Sequence, residues 1–302
     1  MTTNDESTPE YLEAVVQKKP RQDDDREIAI TRKIEGLVLQ EQWAQNAFSK
    51  IRELQIDYMR EALKHAEDSA WIYERTQKVL EKIAELSRSK IVEGEELLEE
   101  VPKGQPVLMM TNHLGTYKLL GIDPGKELGV NIPGYDFMYP SPMYFGGLSP
   151  VAKAIGNDLS YVSDDFPGVF GKIHRASGFI HVPPKLLQQG GRTGALLEQT
   201  NRSFEARPNT AIVNYPEGGT SGKYSGLGPY DLDPFKTGGY VIAAHLNTRI
   251  IPVAQYFDPK EGLQLKVFPS YIPKSTDKAA NEELAERDRL AMQDWFDKRK
   301  SS

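Results

Sequence analysis

Cysteine is absent from the 302 residues of this chain. Its absence excludes disulfides, thiol nucleophiles and thiolate metal sites, and leaves the compartment open. No apolar run approaches the roughly 18 residues that mark a membrane-spanning helix. The amino-terminal MTTNDESTPEYLEA has neither the basic nor the apolar region of a secretory signal, so a cytoplasmic protein is expected. Positive charge is in short supply, with a formal net charge of −6. That argues against broad nucleic-acid binding and against simple docking on an anionic membrane, while leaving room for a local basic patch. Histidine is scarce too. His65, His113, His174, His181 and His245 show no metal-ligand spacing, so no metal site is expected. What remains is an ordinary globular composition, 39% hydrophobic and 26% charged, on a chain long enough to bury a sizeable core.

Three regions follow from the distribution of residues. Residues 1–25 are polar, carry Pro9 and Pro20, end in Asp23-Asp24-Asp25 and read as a mobile tail. Residues 26–100 contain no proline, and their apolar residues recur at helical spacing: Ile30, Ile34, Leu37, Val38, Trp43, then Phe48, Ile51, Leu54, Tyr58, then Ile72, Val79, Leu80, Ile83, Leu86. This predicts a helical module of two or three helices, broken near Glu67-Asp68-Ser69 with Ser69 as a cap. Its stripes would pack on the rest of the chain or on a second copy, which makes a homo-oligomer plausible. In residues 101–302 short β-rich runs (Val107–Thr111, Gly178–Val182, Thr210–Tyr215, Ile250–Tyr256, Leu263–Phe268) alternate with helical ones (Lys185–Glu205, Gly238–Leu246). That alternation predicts an α/β fold with a mostly parallel central sheet covered by helices. The stretch Asp277–Lys300 reads as a terminal amphipathic helix with Leu284, Leu290, Met292 and Trp295 on one stripe. The aromatic, proline-rich segment Asn131–Pro150 is too apolar for water and too broken for a regular element. It would fold over the body of the protein, or serve as a lid or apolar wall.

Chemistry concentrates where two expected strands run into polar turns. The buried run Val107–Thr111 ends in Asn112-His113, followed by Gly115, Thr116 and Lys118, where a helix is expected to begin. In open α/β sheets such strand ends collect ligands and catalytic side chains. The run Ala211–Tyr215 ends in Pro216-Glu217-Gly218-Gly219-Thr220-Ser221-Gly222, whose glycines let backbone amides approach a ligand. Lys223 and Lys236 add positive charge. A histidine beside backbone amides and lysines suits a general base acting next to an anionic substrate.

The order of these blocks resembles the glycerolipid acyltransferase superfamily, of which the lysophosphatidic acid acyltransferases are the best-known members. The blocks are Asn112-His113; Ser177-Gly178-Phe179-Ile180-His181-Val182; Tyr215-Pro216-Glu217-Gly218-Gly219-Thr220-Ser221; Pro234-Phe235-Lys236-Thr237-Gly238-Gly239; and Ile250-Ile251-Pro252-Val253-Ala254. The resemblance covers residues 104–270. It implies that His113, with Asn112 beside it, deprotonates an acceptor hydroxyl (or amine), which attacks an acyl-CoA or acyl-carrier-protein thioester. No cofactor is needed beyond that co-substrate. Glu217, Gly218, Gly219, Thr220 and Ser221 would help hold a lipid or small-molecule acceptor, and Thr116, Lys118 and Lys236 would lie at the same site. Membrane contact would be peripheral, through the helical module or the aromatic segment.

Three of the blocks depart from the family pattern. Lys118 stands where the family has the acid that orients the imidazole, Pro183 stands where it has an arginine with only Lys185 or Arg192 nearby, and Gly219-Thr220 replaces Thr-Arg. A lysine ammonium offers no acceptor to an imidazole N–H. Orientation would then fall to Asp123, Asp136, Glu217 or a backbone carbonyl. The readings left are an acyltransferase with a different orienting group, one acting on an acceptor without phosphate, and a non-catalytic protein that binds an acyl chain, lipid or partner protein.

Overall fold

A computed structural model describes residues 39–114, 116–118, 138–140, 146–164, 168–182 and 192–300, with positions 29, 30, 33, 36 and 37; at 52, 116–118, 138–140, 164, 168–170 and 192 it describes the backbone alone. The expected tail therefore lies outside the described residues, as do Pro183, Lys185, Asp123, Asp136 and most of Asn131–Pro150.

The first helices described over their full length are α1 (Gln42–Lys64) and α2 (Ser69–Leu86); the described positions before them, 29, 30, 33, 36 and 37, are helical too. The break between them falls where the sequence predicts it, but Asp68 is the cap: its carboxylate accepts the Trp71 N–H at 2.9 Å, and Ser69 is the first helical residue. Along α2 the buried positions Ile72, Thr76, Val79, Leu80 and Ile83 follow the helical period. They face the chain's own body. Ala44 and Leu80 belong to the same core as the sheet residues, and Tyr58, Thr76 and Ser177 join α1 and α2 to the main body through a triangle of hydroxyls 2.8–3.1 Å apart.

The expected helical module does not stay helical to residue 100. After a turn in which Arg88 adopts a φ of 52°, Lys90–Glu93 forms strand β1, and Glu95–Glu100 is a short 3-10 helix. The paired β-branched residues Ile91 and Val92 favour the strand.

The remaining elements are β2 (Val107–Thr111), β3 (Thr116–Lys118), β4 (Met138–Pro140), α3 (Ser149–Ala154), β5 (Asp158–Asp164), α4 (Gly168–Ala176), β6 (Ile180–Val182), α5 (Arg192–Ala206), β7 (Thr210–Asn214), α6 (Gly238–His245), β8 (Arg249–Asp258), β9 (Gly262–Val267) and α7 (Lys278–Lys300). The protein is α/β. Seven strands form one sheet in the order β1-β9-β8-β2-β7-β5-β6, in which β8, β2, β7, β5 and β6 run parallel; β9 turns back antiparallel to β8, and β1 lies parallel to β9. Helices flank the sheet: α6 on β2 and β8, α2 and α3 on β5, α5 on β6 and α7 on β8. All five residues of β2 are buried, as its unbroken apolar run requires of a central parallel strand.

Two elements depart from expectation. No helix follows His113 directly among the described residues; Thr116–Lys118 instead pairs antiparallel with Met138–Pro140, drawing part of the aromatic segment to the strand that follows the histidine. On α7 the buried stripe is Asn281, Ala285, Asp288, Met292, Trp295 and Phe296, while Leu290 is exposed. The stripe includes an acid because the buried Asp288 accepts hydrogen bonds from the hydroxyls of Tyr271 (2.6 Å) and Tyr240 (3.4 Å).

Candidate functional site

β2 and β7 are adjacent and parallel, with Met110 opposite Asn214, so their carboxyl ends open onto the same edge of the sheet. Asn112-His113 and the Tyr215–Ser221 turn, a hundred residues apart in the chain, meet there. The meeting is made by hydrogen bonds. Ser221 N–H donates to the His113 carbonyl at 2.9 Å, and the His113 N–H faces Ser221 Oγ at 3.2 Å and Glu217 Oε1 at 3.4 Å. The half-buried imidazole packs on the Tyr215 ring, with centroids 4.6 Å apart and planes tilted by 59°.

Asn112 is fully buried and is spent on architecture. Its Nδ2 donates to the Gln255 carbonyl (3.0 Å) and its Oδ1 accepts the Gln255 N–H (2.7 Å), so the side chain continues the β2–β8 ladder past the end of β2. Gln255 returns the clamp by donating Nε2 to Thr111 Oγ1 at 3.0 Å and to the Asn112 carbonyl at 3.3 Å. The chain leaves the sheet at a fixed angle, and His113 is the first residue beyond the clamp.

Glu217 is 1% exposed and faces inward. One oxygen accepts the Ser221 hydroxyl at 2.7 Å and the His113 N–H; the other accepts the Asp233 N–H at 2.9 Å. Burial pushes its carboxyl up to about 8, with the nearby Asp233 carboxylate adding to the rise and these three hydrogen bonds opposing it. Glu217 thus holds the backbone of His113, and Ser221 is buried with it. Asp233 was not singled out in the sequence. It is also buried, and its two oxygens accept the N–H groups of Tyr224 (2.9 Å) and Ser225 (2.8 Å), which shapes the loop that follows the turn. An acid directly before Pro-Phe-Lys, two residues from another acid, was the available signal. Gln255, the other unsuspected member, gave none.

Gly218, Gly219 and Lys236 make the outward side of the turn. Gly218 adopts a φ of +70°, which favours glycine, and its N–H closes a turn onto the Tyr215 carbonyl at 3.0 Å. The Lys236 side chain lies across Gly218, where a Cβ would overlap its Nζ; its backbone N–H donates to the Pro216 carbonyl at 2.8 Å. The ammonium groups of Lys236 and Lys223 lie 5.3 and 6.0 Å from the centroid of the Tyr224 ring. Thr220 Oγ1 is buried with no hydrogen-bond partner among the described residues. Thr116 and Lys118 sit in β3, three and five residues past His113. His181 is a packed strand residue, 5.9 Å from the half-buried His174 ring. A separate cleft, lined by Gln77, Glu81, Ser149, Lys153, Asn157 and Asp158, opens at the start of β5, on the opposite edge of the sheet.

No helix among the described residues is long and apolar enough to cross a membrane. No family model matches the chain, and a search of curated proteins finds no match.

Proposed function

We propose that the protein is an acyltransferase of the glycerolipid acyltransferase type, moving a fatty acyl group from a CoA or carrier-protein thioester to a hydroxyl or amine acceptor. The observation that carries the reading is the hydrogen-bonded union of Asn112-His113 with the Tyr215–Ser221 turn at one carboxyl edge of the sheet. It brings an imidazole, a glycine-rich turn and two lysines to one rim, where a base can work beside an anionic reactant.

In this mechanism His113 accepts the acceptor's proton as its oxygen or nitrogen attacks the thioester carbonyl. Collapse of the tetrahedral intermediate breaks the C–S bond, and the imidazolium returns the proton to the departing thiolate. Glu217 and Ser221 act on the main chain of His113, and Asn112 fixes the strand end that carries it.

The test is thioester turnover. Purified protein is incubated with acyl-CoA and a panel of lysophospholipids, glycerol 3-phosphate, simple alcohols and amines. Thiol release that requires an acceptor and is lost in His113→Ala supports the reading; release that persists in His113→Ala refutes the role of the histidine. The second reading, acyl-chain or lipid binding without turnover, is favoured by Lys118 in the place of the orienting acid. It is supported by tight acyl-CoA or fatty-acid binding without release.

A further inference from the structure

We propose that the loop from Gly222 to Gly228, beside the His113 site, is an interfacial anchor that seats this edge of the protein on an anionic lipid surface. Leu227, next to its neck, is 63% exposed, the most exposed large apolar side chain among the described residues, and Tyr224 is 41% exposed. An isolated exposed leucine needs no explanation, but this one is held out by a built framework. The buried carboxylate of Asp233 fixes the N–H groups of Tyr224 and Ser225, and Gly226 N–H bonds the Gly222 carbonyl at 2.7 Å. At the loop's neck Gly222, with a φ of +72°, runs so close to Gly228 that a Cβ would overlap its carbonyl oxygen. The loop that carries Leu227 and Tyr224 is therefore built rather than frayed.

Charge selects the partner. Lys223 and Lys236 flank the Tyr224 ring, and Lys33 Nζ donates to the Leu227 carbonyl at 3.2 Å, which brings three ammonium groups around two protruding apolar side chains. The chain as a whole carries a net charge of −6, so this is a local basic rim on an acidic protein. An exposed aliphatic side chain, an aromatic ring with a polar tip and long cationic side chains are the chemistry of a lipid–water interface with anionic headgroups. The proposal moves the expected peripheral contact from the helical module and the Asn131–Pro150 segment to the rim loop. It does not rest on acyl transfer.

Binding is read without any acyl donor, by sedimentation with vesicles of phosphatidylcholine alone or of equal parts phosphatidylcholine and phosphatidylglycerol. The wild-type chain is expected to sediment with the anionic vesicles only, and less as salt is raised. Lys223→Glu should lower partitioning at least about fivefold, the factor per cationic charge near an anionic surface. Leu227→Asp should abolish binding at an unchanged melting temperature. Ile272→Asp, at an exposed isoleucine beside the bridge to Ile250 near the start of β8, should bind as wild type. No sedimentation of the wild type overturns the proposal, as does equal binding by Leu227→Asp. Capture by an acidic polypeptide but not by vesicles also overturns it, in favour of a protein partner. None of these outcomes touches the turnover assay.

Discussion

At Glu217, burial and hydrogen bonding pull in opposite directions, and burial wins. A carboxyl raised to about 8 from its ordinary 4.5 holds a proton in the folded state that the unfolded chain gives up. Its contribution to stability is therefore full below pH 4.5 and is lost as the pH rises toward 8. The slope has a ceiling of about 1.4 kcal/mol per pH unit. Denaturant midpoints of the wild type should fall across that window, and Glu217→Gln should flatten the fall; parallel curves would mean that Glu217 is ionised throughout. His174 acts with the opposite sign. Burial first, then the positive charges of His181 and Arg175, lower it to about 3 from 6.5, so its contribution is present above 6.5 and is lost as the pH falls toward 3. The Glu217→Gln substitution has a cost of its own. Both carboxylate oxygens accept hydrogen bonds, so an amide must turn its NH2 toward a donor, at about 1–3 kcal/mol at pH 4.5.

Strand ends and the helix docked on them decide where His113 stands. Asn112→Asp replaces the donor facing the Gln255 carbonyl with an acceptor in a fully buried position, and should destabilise the protein by about 2–5 kcal/mol in urea denaturation. Any loss of activity should track that loss of fold, which separates an architectural asparagine from a chemical one. Gly239, in the first turn of α6, is a second pivot. A Cβ there would overlap Asn214 Nδ2 and meet Met110 Cε at 2.7 Å, so Gly239→Ala should push α6 off β2 and β7 and cost about 1–3 kcal/mol by thermal melting. Much of this level was legible in the sequence. The unbroken apolar run of β2 gave its bounds to the residue, and β7, β8, β9 and α6 fell within two residues of expectation. β5 escaped because Asp158, Ser160 and Ser163 disguise a strand; Ser160 is nonetheless buried, its hydroxyl satisfied by the Gly178 carbonyl. The pairing of Asn112 with Gln255 was illegible, since no local pattern announces a side chain that mimics a neighbouring strand.

Over the whole molecule, one core extends from Ala44 to Phe296, and the last helix is part of it. Ala285, Met292, Trp295 and Phe296 are buried in that core, and Trp295 Nε1 bonds the Glu93 carboxylate of the far edge strand at 2.7 Å. A chain ending at Lys274 should therefore lose its cooperative thermal transition rather than melt as a smaller domain. The strand order carries a further consequence, one for biosynthesis. The two neighbours of β2 are written late in the chain: Val107 lies opposite Ala211 on one side and Arg249 on the other. At ordinary elongation rates of about 5–20 residues per second, roughly 7 to 30 seconds separate the making of β2 from the making of its second neighbour. The most apolar strand of the sheet thus emerges from the ribosome well before either of its neighbours, and the nascent chain depends on whatever covers it in the meantime.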